Sequence, residues 1–380
     1  MDFLIQKISV MLFYLTNSLI VSSEDPAYRS IVRCISILSM QVESSQHLLT
    51  GDFEAIEHYR EVFKDSIVLG PLFNRIYQNF STSGVPGCVS FYIEIVNSAP
   101  GPERMVEGKT VRQLNYSHFD KPDKASSSLL IGEDSNDAVF YEHILCWYKK
   151  EYAPYAHHSL RHCHGGGVNT AREITNHLNQ GDIVISIIDT DKKYPGCRIK
   201  HDSTYDKCRR LRRTEPYYKL LPIGVQEIEN LIPRNYIDAC HNWTNPYSPD
   251  TINKSKIEML YSDSENTIPF FDFKKGLEID DDVRNNPDYK EYARKCYDTR
   301  TDLTGNEPDF DVFLANSPDG TEICPKLFGG TGLIKNTIDI LGTANCPQDP
   351  VLFPFQKDNW KMIGESLLNW CICRSGESLY

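Results

Sequence analysis

Several sequence patterns that define common protein classes are missing from this chain of 380 residues. It has no Walker A pattern GxxxxGK[ST], and the Gly-Gly-Thr-Gly stretch at residues 329–332 does not meet that pattern. No tandem CxxC pattern occurs among its 12 cysteines, so neither a standard zinc module nor a disulfide framework is indicated. No internal repeat is present, which disfavours a solenoid or a propeller.

The chain also lacks an excess of positive charge, because its formal net charge is −12. This excludes a protein coated with positive charge, but it leaves room for a local basic groove. The scattered cysteines predict reduced thiols and a cytoplasmic protein. One zinc-binding set stays open as an alternative, although its spacing matches no standard module: Cys163, His164, Cys197 and Cys208.

No apolar run is long enough to cross a bilayer, which takes about 20 residues. The longest candidate, residues 8–21, is interrupted by Asn17 and Ser18. We interpret it as a buried first helix and expect no membrane association. A signal peptide is the alternative, although Lys7 alone gives it a weak positive start.

The length predicts more than one domain or subdomain. We divide the chain into a mainly helical region at 1–124, an α/β region at 125–240 and a mixed region at 241–380. In the first region, helical spacing of apolar residues occurs at 31–40 and 53–63, and a strand is predicted at 91–96.

The mixed third region shows two features. Residues 278–291 are acidic and polar, which predicts a solvated loop, and a helix-like stretch ends the glycine-rich segment 327–341.

The region 125–240 alternates short apolar runs with helical patterns. Such alternation predicts a parallel sheet flanked by helices, an α/β fold. Asn136 or Asp137 is the predicted cap of the first helix in this region. In order, we predict strand 128–131, helix 138–150, strand 159–162, a glycine loop 165–167, helix 168–178 and strand 183–188.

Three carboxylates follow two of these strands directly. Glu133 comes after the first strand, and Asp189 and Asp191 come after the last. Ligands of parallel sheets bind at the carboxyl ends of strands. Carboxylates placed close together repel one another unless a cation neutralises them, and oxygen ligands favour Mg²⁺ or Mn²⁺. Such an ion suits phosphoryl chemistry, and Glu229 could hold a second one.

Four segments carry a resemblance to a known family. The sequence LIGEDSND at 130–137 resembles the first motif of TOPRIM domains, and the DTD at 189–191 is similar to their DxD motif. Gly165–Gly167 stands where these domains have a glycine turn, and EIENLIP at 227–233 resembles a segment of the OLD-like nucleases. One departure is Asp134, where the family usually has Gly. The resemblance covers the second region.

The resemblance implies roles for individual residues. Glu133 is expected to be a metal ligand or an acid/base, Asp137 a supporting ligand, and Asp189 and Asp191 metal ligands. A lysine often assists in this nuclease branch, and Lys335 is the candidate here.

The function implied is Mg²⁺- or Mn²⁺-dependent hydrolysis of phosphodiester bonds in DNA or RNA. The resembling branch includes anti-phage effectors that cause abortive infection and work beside an ABC-type ATPase. Since this chain has no Walker A pattern, the resemblance implies a separate ATPase subunit, and a homo-oligomer also stays open. The alternative is a non-catalytic TOPRIM module that binds a metal or a partner. A topoisomerase or a primase would need further modules that the sequence does not show.

A basic cluster follows the DxD carboxylates at once. Residues 192–213 hold nine basic side chains and two acidic ones. Phosphate binding needs such a local field, and Tyr194 and Tyr205 could stack on bases. The alternatives are a solvated loop or a surface for an acidic partner. The predicted nucleic-acid contacts are Lys192, Lys193, Arg209, Arg210, Arg212 and Arg213.

Each acidic residue also has a structural alternative. Glu133 alone suits a helix cap, and the Asp189/Asp191 pair suits an Asx turn. A DxD occurs in haloacid dehalogenase-type phosphatases too, but Lys193 stands where those want Thr or Val. It occurs in glycosyltransferases as well. Glu227 and Glu229 suit the first turn of a helix.

The histidines at 157, 158, 162 and 164 are a further candidate metal site. A polar strand and turn is the interpretation that we prefer for them.

Overall fold

The computed structural model describes residues 12–44, 47–80, 90–119, 128–154, 156–211, 217–240, 260–261, 263–301, 308–326 and 332–373. These residues form an α/β structure around two sheets that are mainly parallel. Within these ranges, no helix combines the length and the apolar character that a bilayer crossing requires.

Sheet A has five strands in the order β2-β1-β3-β5-β4. Only the β4–β5 pair is antiparallel. Its central strand β3 is buried at every position, and its residues are apolar or aromatic except for the buried Glu94. The strands are β1 (Leu12–Leu15), β2 (Leu48–Gly51), β3 (Phe91–Val96), β4 (Arg104–Val106) and β5 (Lys109–Asn115), and the helices beside them are α1 (Tyr28–Glu43), α2 (Phe53–Val62) and α3 (Leu69–Gln78).

Sheet A corrects the expectation of a mainly helical first region. The helices predicted at 31–40 and 53–63 and the strand at 91–96 are confirmed. The first helix predicted at 8–21 is wrong where the structure describes it, because residues 12–15 form a strand. That strand pairs with β2 and β3 on its two sides, and these long-range hydrogen bonds outweigh the local pattern.

Sheet B has four parallel strands in the order β10-β9-β6-β8. The inner strands β6 and β9 are covered on both faces and are nearly continuous apolar runs, whereas the edge strand β8 is polar and partly exposed. Leu130 and Ile185 face the core that contains α4, whereas Leu129 and Val184 face the core that contains α5 and α6. The elements are β6 (Ser128–Gly132), α4 (Ser135–Tyr152), β7 (His157–His158), β8 (Leu160–His164), α5 (Thr170–Gln180), β9 (Val184–Ile188), α6 (Thr204–Leu211) and β10 (Tyr218–Pro222).

The start of α4 differs from the prediction by one turn. The helix begins at Ser135, and Asp134 is its cap rather than Asn136 or Asp137. The Asp134 carboxylate accepts a hydrogen bond from the Asn136 N–H (2.9 Å), and Asp137 returns one by accepting from the Asp134 N–H (2.8 Å). The residue that departs from the TOPRIM pattern therefore completes a capping box.

The third region consists of short helices and strands. The solvated loop predicted at 278–291 is wrong, because α9 and α10 occupy most of it and Asp280 caps α9 by accepting from the Val283 N–H. The elements are α7 (Arg234–Cys240), α8 (Ser264–Thr267), β11 (Leu277–Glu278), α9 (Asp281–Asn285), α10 (Pro287–Thr301), α11 (Phe310–Asn316), β12 (Glu322–Cys324), α12 (Gly332–Ile340), α13 (Pro354–Cys371) and β13 (Ile372–Cys373).

Helix α13 packs against α4 and fixes the segment that follows β10. The buried amide of Gln356 donates to the carbonyl oxygens of Asn230 (3.1 Å) and Ile232 (2.9 Å). The indole N–H of Trp360 donates to the Leu231 carbonyl (2.9 Å). Three consecutive bonds thus set the path of residues 230–232.

We expect Gln356→Ala to lower the free energy of unfolding by about 2 kcal/mol or more, because two buried carbonyls lose their donor. Urea denaturation measures this. Gln180→Ala is the matched control, since Gln180 is exposed at the end of α5. Equal stability of the two variants would contradict the structural role of Gln356.

Candidate metal centre

The carboxyl ends of β6 and β9 lie side by side. Leu129 pairs with Val184 and Ile131 pairs with Ser186, so both strands end at the same edge of sheet B. Glu133 follows β6 and Asp189 follows β9. The chain that leaves the neighbouring strand β10 adds a third acidic segment at this edge.

Three carboxylates meet in this place. One oxygen from each of Asp189, Glu227 and Glu229 lies within 4.8 Å of the others. The Ile228 N–H donates to Asp189 Oδ1 (3.0 Å), and the Gln226 carbonyl accepts from the N–H groups of Thr190 and Asp191 (3.1 Å each). These bonds join the loop after β9 to the loop after β10.

Glu229 lies deepest in the cluster. Its exposed fraction is 2%, and its Oε2 atom has no hydrogen-bond partner among the described residues. A buried carboxylate oxygen without a donor is costly, and each such atom needs an explanation. The donor set of Asp189, Glu227 and Glu229 contains only oxygen, which fits Mg²⁺ or Mn²⁺. A bound cation would satisfy Oε2.

Lys274 comes from the third region and contacts two of these carboxylates. Its Nζ lies 2.9 Å from Glu227 Oε2 and 2.8 Å from Glu229 Oε1. Burial alone would lower the pKa of Lys274, but the charges of Glu229 and Glu227 raise it above its ordinary value. The turn that presents Lys274 is fixed by Asp272, whose Oδ1 accepts from the N–H groups of Lys274 (3.0 Å) and Lys275 (2.8 Å).

The sequence-based candidate Lys335 is not brought to this cluster. It is exposed on α12 and forms no ion pair with the described residues. No motif identifies Lys274 in advance, because only the packing of residues 268–276 brings it to the site. The Asn230 side chain makes this packing, since its amide donates to the carbonyls of Ile268 (2.7 Å) and Phe271 (2.9 Å).

Glu133 and Asp137 lie in the same electrostatic field. Burial, followed by the charges of Asp191 and Asp137, raises the pKa of Glu133 to about 7. Burial also raises the pKa of Asp137 to about 6, although its hydrogen bond with the Asp134 backbone opposes the rise. The helix cap is Asp134, with Asp137 as its partner in the capping box, and not Glu133 as the alternative had it. Asp137 also feels the charge of Glu229.

The glycine turn positions Glu133. The Gly165 N–H donates to the Gly132 carbonyl (3.0 Å), and the Gly167 N–H donates to the Glu133 carbonyl (3.1 Å). A Cβ atom on Gly165 would collide with the Gly132 carbonyl oxygen. Glycine at 165 thus allows the carboxyl ends of β6 and β8 to approach each other.

Asp191 occupies the rim of the cluster. It is exposed and has a φ of +53°, a left-handed conformation that Asp tolerates better than most residues. Loss of hydration raises the pKa of Asp191, and the charges of Lys275 and Lys200 oppose the rise. Its carboxylate is not one of the three that lie within 4.8 Å of one another.

The basic cluster is partly neutralised by its own acids. Arg210 pairs with Asp202 (2.6 Å) and Arg209 pairs with Asp206 (3.1 Å). Lys193 lies 3.5 Å from Asp280 in the third region. Arg212 and Arg213 lie outside the described residues. The basic residues of 192–211 without an ion pair to the described part of the chain are Lys192, Arg198, Lys200 and Lys207.

The rings of the two tyrosines predicted to stack on bases are both engaged in contacts within the chain. Tyr205 is 8% exposed and packs into the core between sheet B and α5, so its ring is covered. The Tyr194 ring stacks on Tyr289 at 4.9 Å, and its hydroxyl accepts a hydrogen bond from Asn286 (2.6 Å). The prediction is wrong for Tyr205, and Tyr194 already has a ring partner.

The zinc set and the histidine set do not assemble in the described residues. Cys208 is buried in the core, and Cys163 Sγ lies 3.3 Å from His177 Nε2 instead. His158 and His162 both contact Glu142, at 3.0 and 3.1 Å. These hydrogen bonds lower the pKa of Glu142 to about 2, as expected for a polar strand whose histidines are satisfied.

Comparison of the chain with models of known families, with curated proteins and with solved structures finds no match. The function is therefore inferred from what the site can do chemically. It offers an all-oxygen cluster with an unsatisfied buried atom, one lysine in contact with it, and a carboxyl group that exchanges its proton near neutral pH.

Proposed function

We propose that this chain is a Mg²⁺- or Mn²⁺-dependent nuclease with a TOPRIM-like catalytic sheet. The observation that carries the proposal is the unpartnered, buried Oε2 atom of Glu229 beside the carboxylates of Asp189 and Glu227. A parallel sheet with its acidic residues at the carboxyl edge supports the TOPRIM likeness that the motifs indicate.

Asp189 and Glu229 would hold the metal ion, with Glu227, Glu133 and Asp191 beside them. A divalent ion at such a site polarises a phosphate and lowers the pKa of water. Glu133 can accept and release a proton near neutral pH. Lys274 places a positive charge against the cluster, where the charge of a phosphodiester has to be balanced.

Lys200 belongs to the basic cluster, and its positive charge opposes the rise in the pKa of Asp191 at the site. Together with Lys192, Arg198 and Lys207 it forms the part of the cluster that, among the described residues, has no ion pair and can bind phosphate. DNA and RNA both fit this chemistry. The roles in anti-phage defence and abortive infection, the separate ABC-type ATPase and the cytoplasmic location are proposals that rest on the resemblance.

The test is to incubate the purified chain with plasmid DNA and with total tRNA, in Mg²⁺ or Mn²⁺. We expect one substrate to be cleaved, and EDTA and Glu133→Ala to abolish the cleavage. If metal binds and neither substrate is cleaved, the assay is repeated with the ATPase that co-purifies from the native host. No cleavage in that mixture would contradict the proposal.

One observation favours the non-catalytic alternative. Lys274 already forms ion pairs with Glu227 and Glu229, as it would in a purely structural site. In that case the acidic cluster binds a metal or a partner without hydrolysing anything.

Lys274→Met separates the two functions. If the site is catalytic, we expect tighter Mn²⁺ binding, because the carboxylates lose their competing cation, together with cleavage slowed by about tenfold or more. Calorimetry and the cleavage assay measure these changes. Lys335→Met is the matched control, since Lys335 is exposed on α12 and forms no ion pair with the described residues. Unchanged cleavage with tighter metal binding would exclude a catalytic role for Lys274.

A further inference from the structure

Sheet A has a cleft of its own at the carboxyl edge of its strands. The cleft has a volume of about 660 Å³ and is lined by residues of the first region. The chain enters sheet A at β1 and places β2 on one side of it and β3 on the other. A crevice forms where the strand order reverses in this way, and parallel sheets bind their ligands there. The volume is typical of a small-molecule site.

Asp52 is the acidic group at this crevice. It follows β2 directly, its Oδ1 accepts from the Tyr14 hydroxyl (2.7 Å), and its Oδ2 accepts from the Asn17 N–H (2.7 Å). A carboxylate has about four acceptor positions, so two remain. An acidic side chain in this part of a parallel α/β sheet is suited to bind the hydroxyls of a ribose.

Aromatic rings line the same cleft. The rings of Tyr14 and Tyr92 lie 5.6 Å apart, and Phe80 adds a third ring. Glu94 lines the same cleft as a buried polar group whose Oε2 accepts from Arg104 (2.7 Å) and Gln113 (2.9 Å). Flat apolar faces beside fixed polar groups are what a nucleobase requires.

The cleft is poorly suited to a phosphate chain. The loop after β1 reads Thr16-Asn17-Ser18 and has no glycine-rich turn that would expose backbone N–H groups to phosphate. Three acids, Asp52, Glu94 and Glu107, line the cleft against two cations, Arg104 and Lys109, and the Arg104 guanidinium is bound to Glu94.

We infer that the cleft at the carboxyl edge of sheet A binds a ribonucleoside without phosphates. Asp52 binds the ribose hydroxyls, and the rings of Tyr14, Tyr92 and Phe80 contact the base. The site belongs to the first region and does not depend on the metal centre of sheet B.

Isothermal titration calorimetry of the full chain with adenosine, guanosine, cytidine and uridine tests the inference. We expect at least one of them to bind. Its 2′-deoxy analogue should bind about tenfold to a hundredfold more weakly, because a hydrogen bond to a charged group is lost. The 5′-monophosphate should also bind more weakly than the nucleoside. No binding of any ribonucleoside, or equal binding of the deoxy or monophosphate form, would overturn the inference.

Asp52→Asn should weaken binding by about tenfold or more, since the carboxylate loses its charge. Asp65→Asn, an exposed aspartate outside the cleft, is the matched control and should bind as the wild type does. If circular dichroism shows that Asp52→Asn is unfolded, nucleoside binding is measured with Ser98→Trp instead. Ser98 is exposed and lines the cleft, and its side chain forms no hydrogen bond with the described residues. Normal binding by a folded Asp52→Asn chain, or by Ser98→Trp, would refute the site.

Discussion

Asp189→Asn and Glu229→Gln are each expected to reduce metal-dependent phosphodiester cleavage by about a thousandfold or more. Each change removes a charge from the cluster that would hold the ion, and the ion supplies several kcal/mol of stabilisation to the reaction. Both replacements keep the size of the side chain. Asp189 Oδ1 can still accept from the Ile228 N–H in the variant, so the joined loops should remain in place.

Initial cleavage rates at saturating Mn²⁺, on whichever nucleic acid the wild type cleaves, measure this loss. Asp358→Asn is the matched control, because Asp358 is exposed on α13 and forms no ion pair with the described residues. Circular dichroism shows whether the variants are folded. Folded Asp189→Asn and Glu229→Gln chains that cleave at the wild-type rate would mean that the metal centre is not the active site.

The second large effect concerns stability as a function of pH. Burial and the Glu229 charge outweigh Lys274 and raise the pKa of Glu227 to about 8, and burial raises that of Glu133 to about 7. Between the ordinary value of 4.5 and these values, the folded chain binds more protons than the unfolded chain. The free energy of unfolding in the absence of metal should therefore fall as the pH rises from about 5 to 8.

A divalent ion should cancel this loss, because it binds the ionised carboxylates. At a hundredfold excess over its dissociation constant, Mn²⁺ adds about 2.7 kcal/mol to the free energy of unfolding. We expect nearly that gain at pH 8 and little gain at pH 5, where Glu133 and Glu227 are protonated. Urea denaturation with and without Mn²⁺ at each pH measures both effects.

The double variant Glu133→Gln Glu227→Gln is the control for this experiment. Histidine and cysteine titration is common to both proteins, so the difference between them isolates the two carboxyl groups. The difference should disappear at pH 5 and grow towards pH 8. A contradicting result would be that the free energy of unfolding of the wild type without metal changes with pH in the same way as that of the double variant. That result would show that the pKa values of Glu133 and Glu227 are not raised in the folded chain.

The sequence alone determined three of the four strands of sheet B and the position of the acidic residues that follow two of them. The fourth strand, β10 (Tyr218–Pro222), emerges only in the structure. The β-branched run at 183–188 and the apolar run at 128–131 are strands in the structure, and their ends carry Asp189 and Glu133. Local apolar patterns predict such strands well, because a strand that is buried on both faces needs apolar residues at nearly every position. Because adjacent parallel strands run in the same direction, their carboxyl ends lie side by side at one edge of the sheet.

The tertiary structure decided which side chains complete the site. Asp137 became part of a capping box, Glu227 joined the cluster, and Lys274 rather than Lys335 contacts it. Lys274 is 47 residues from Glu227 in the chain, and only the bonds of Asn230 to the segment after α8 bring it close. Local patterns carry no signal for such a contact.

The first region shows the same division. Helical spacing identified α1 and α2, but residues 12–15 form a strand because β2 and β3 pair with them from distant parts of the chain. Strand formation depends on partners, whereas helix hydrogen bonds are local. For that reason the sequence revealed the carboxylates of sheet B, and only the folded chain revealed the cleft of sheet A.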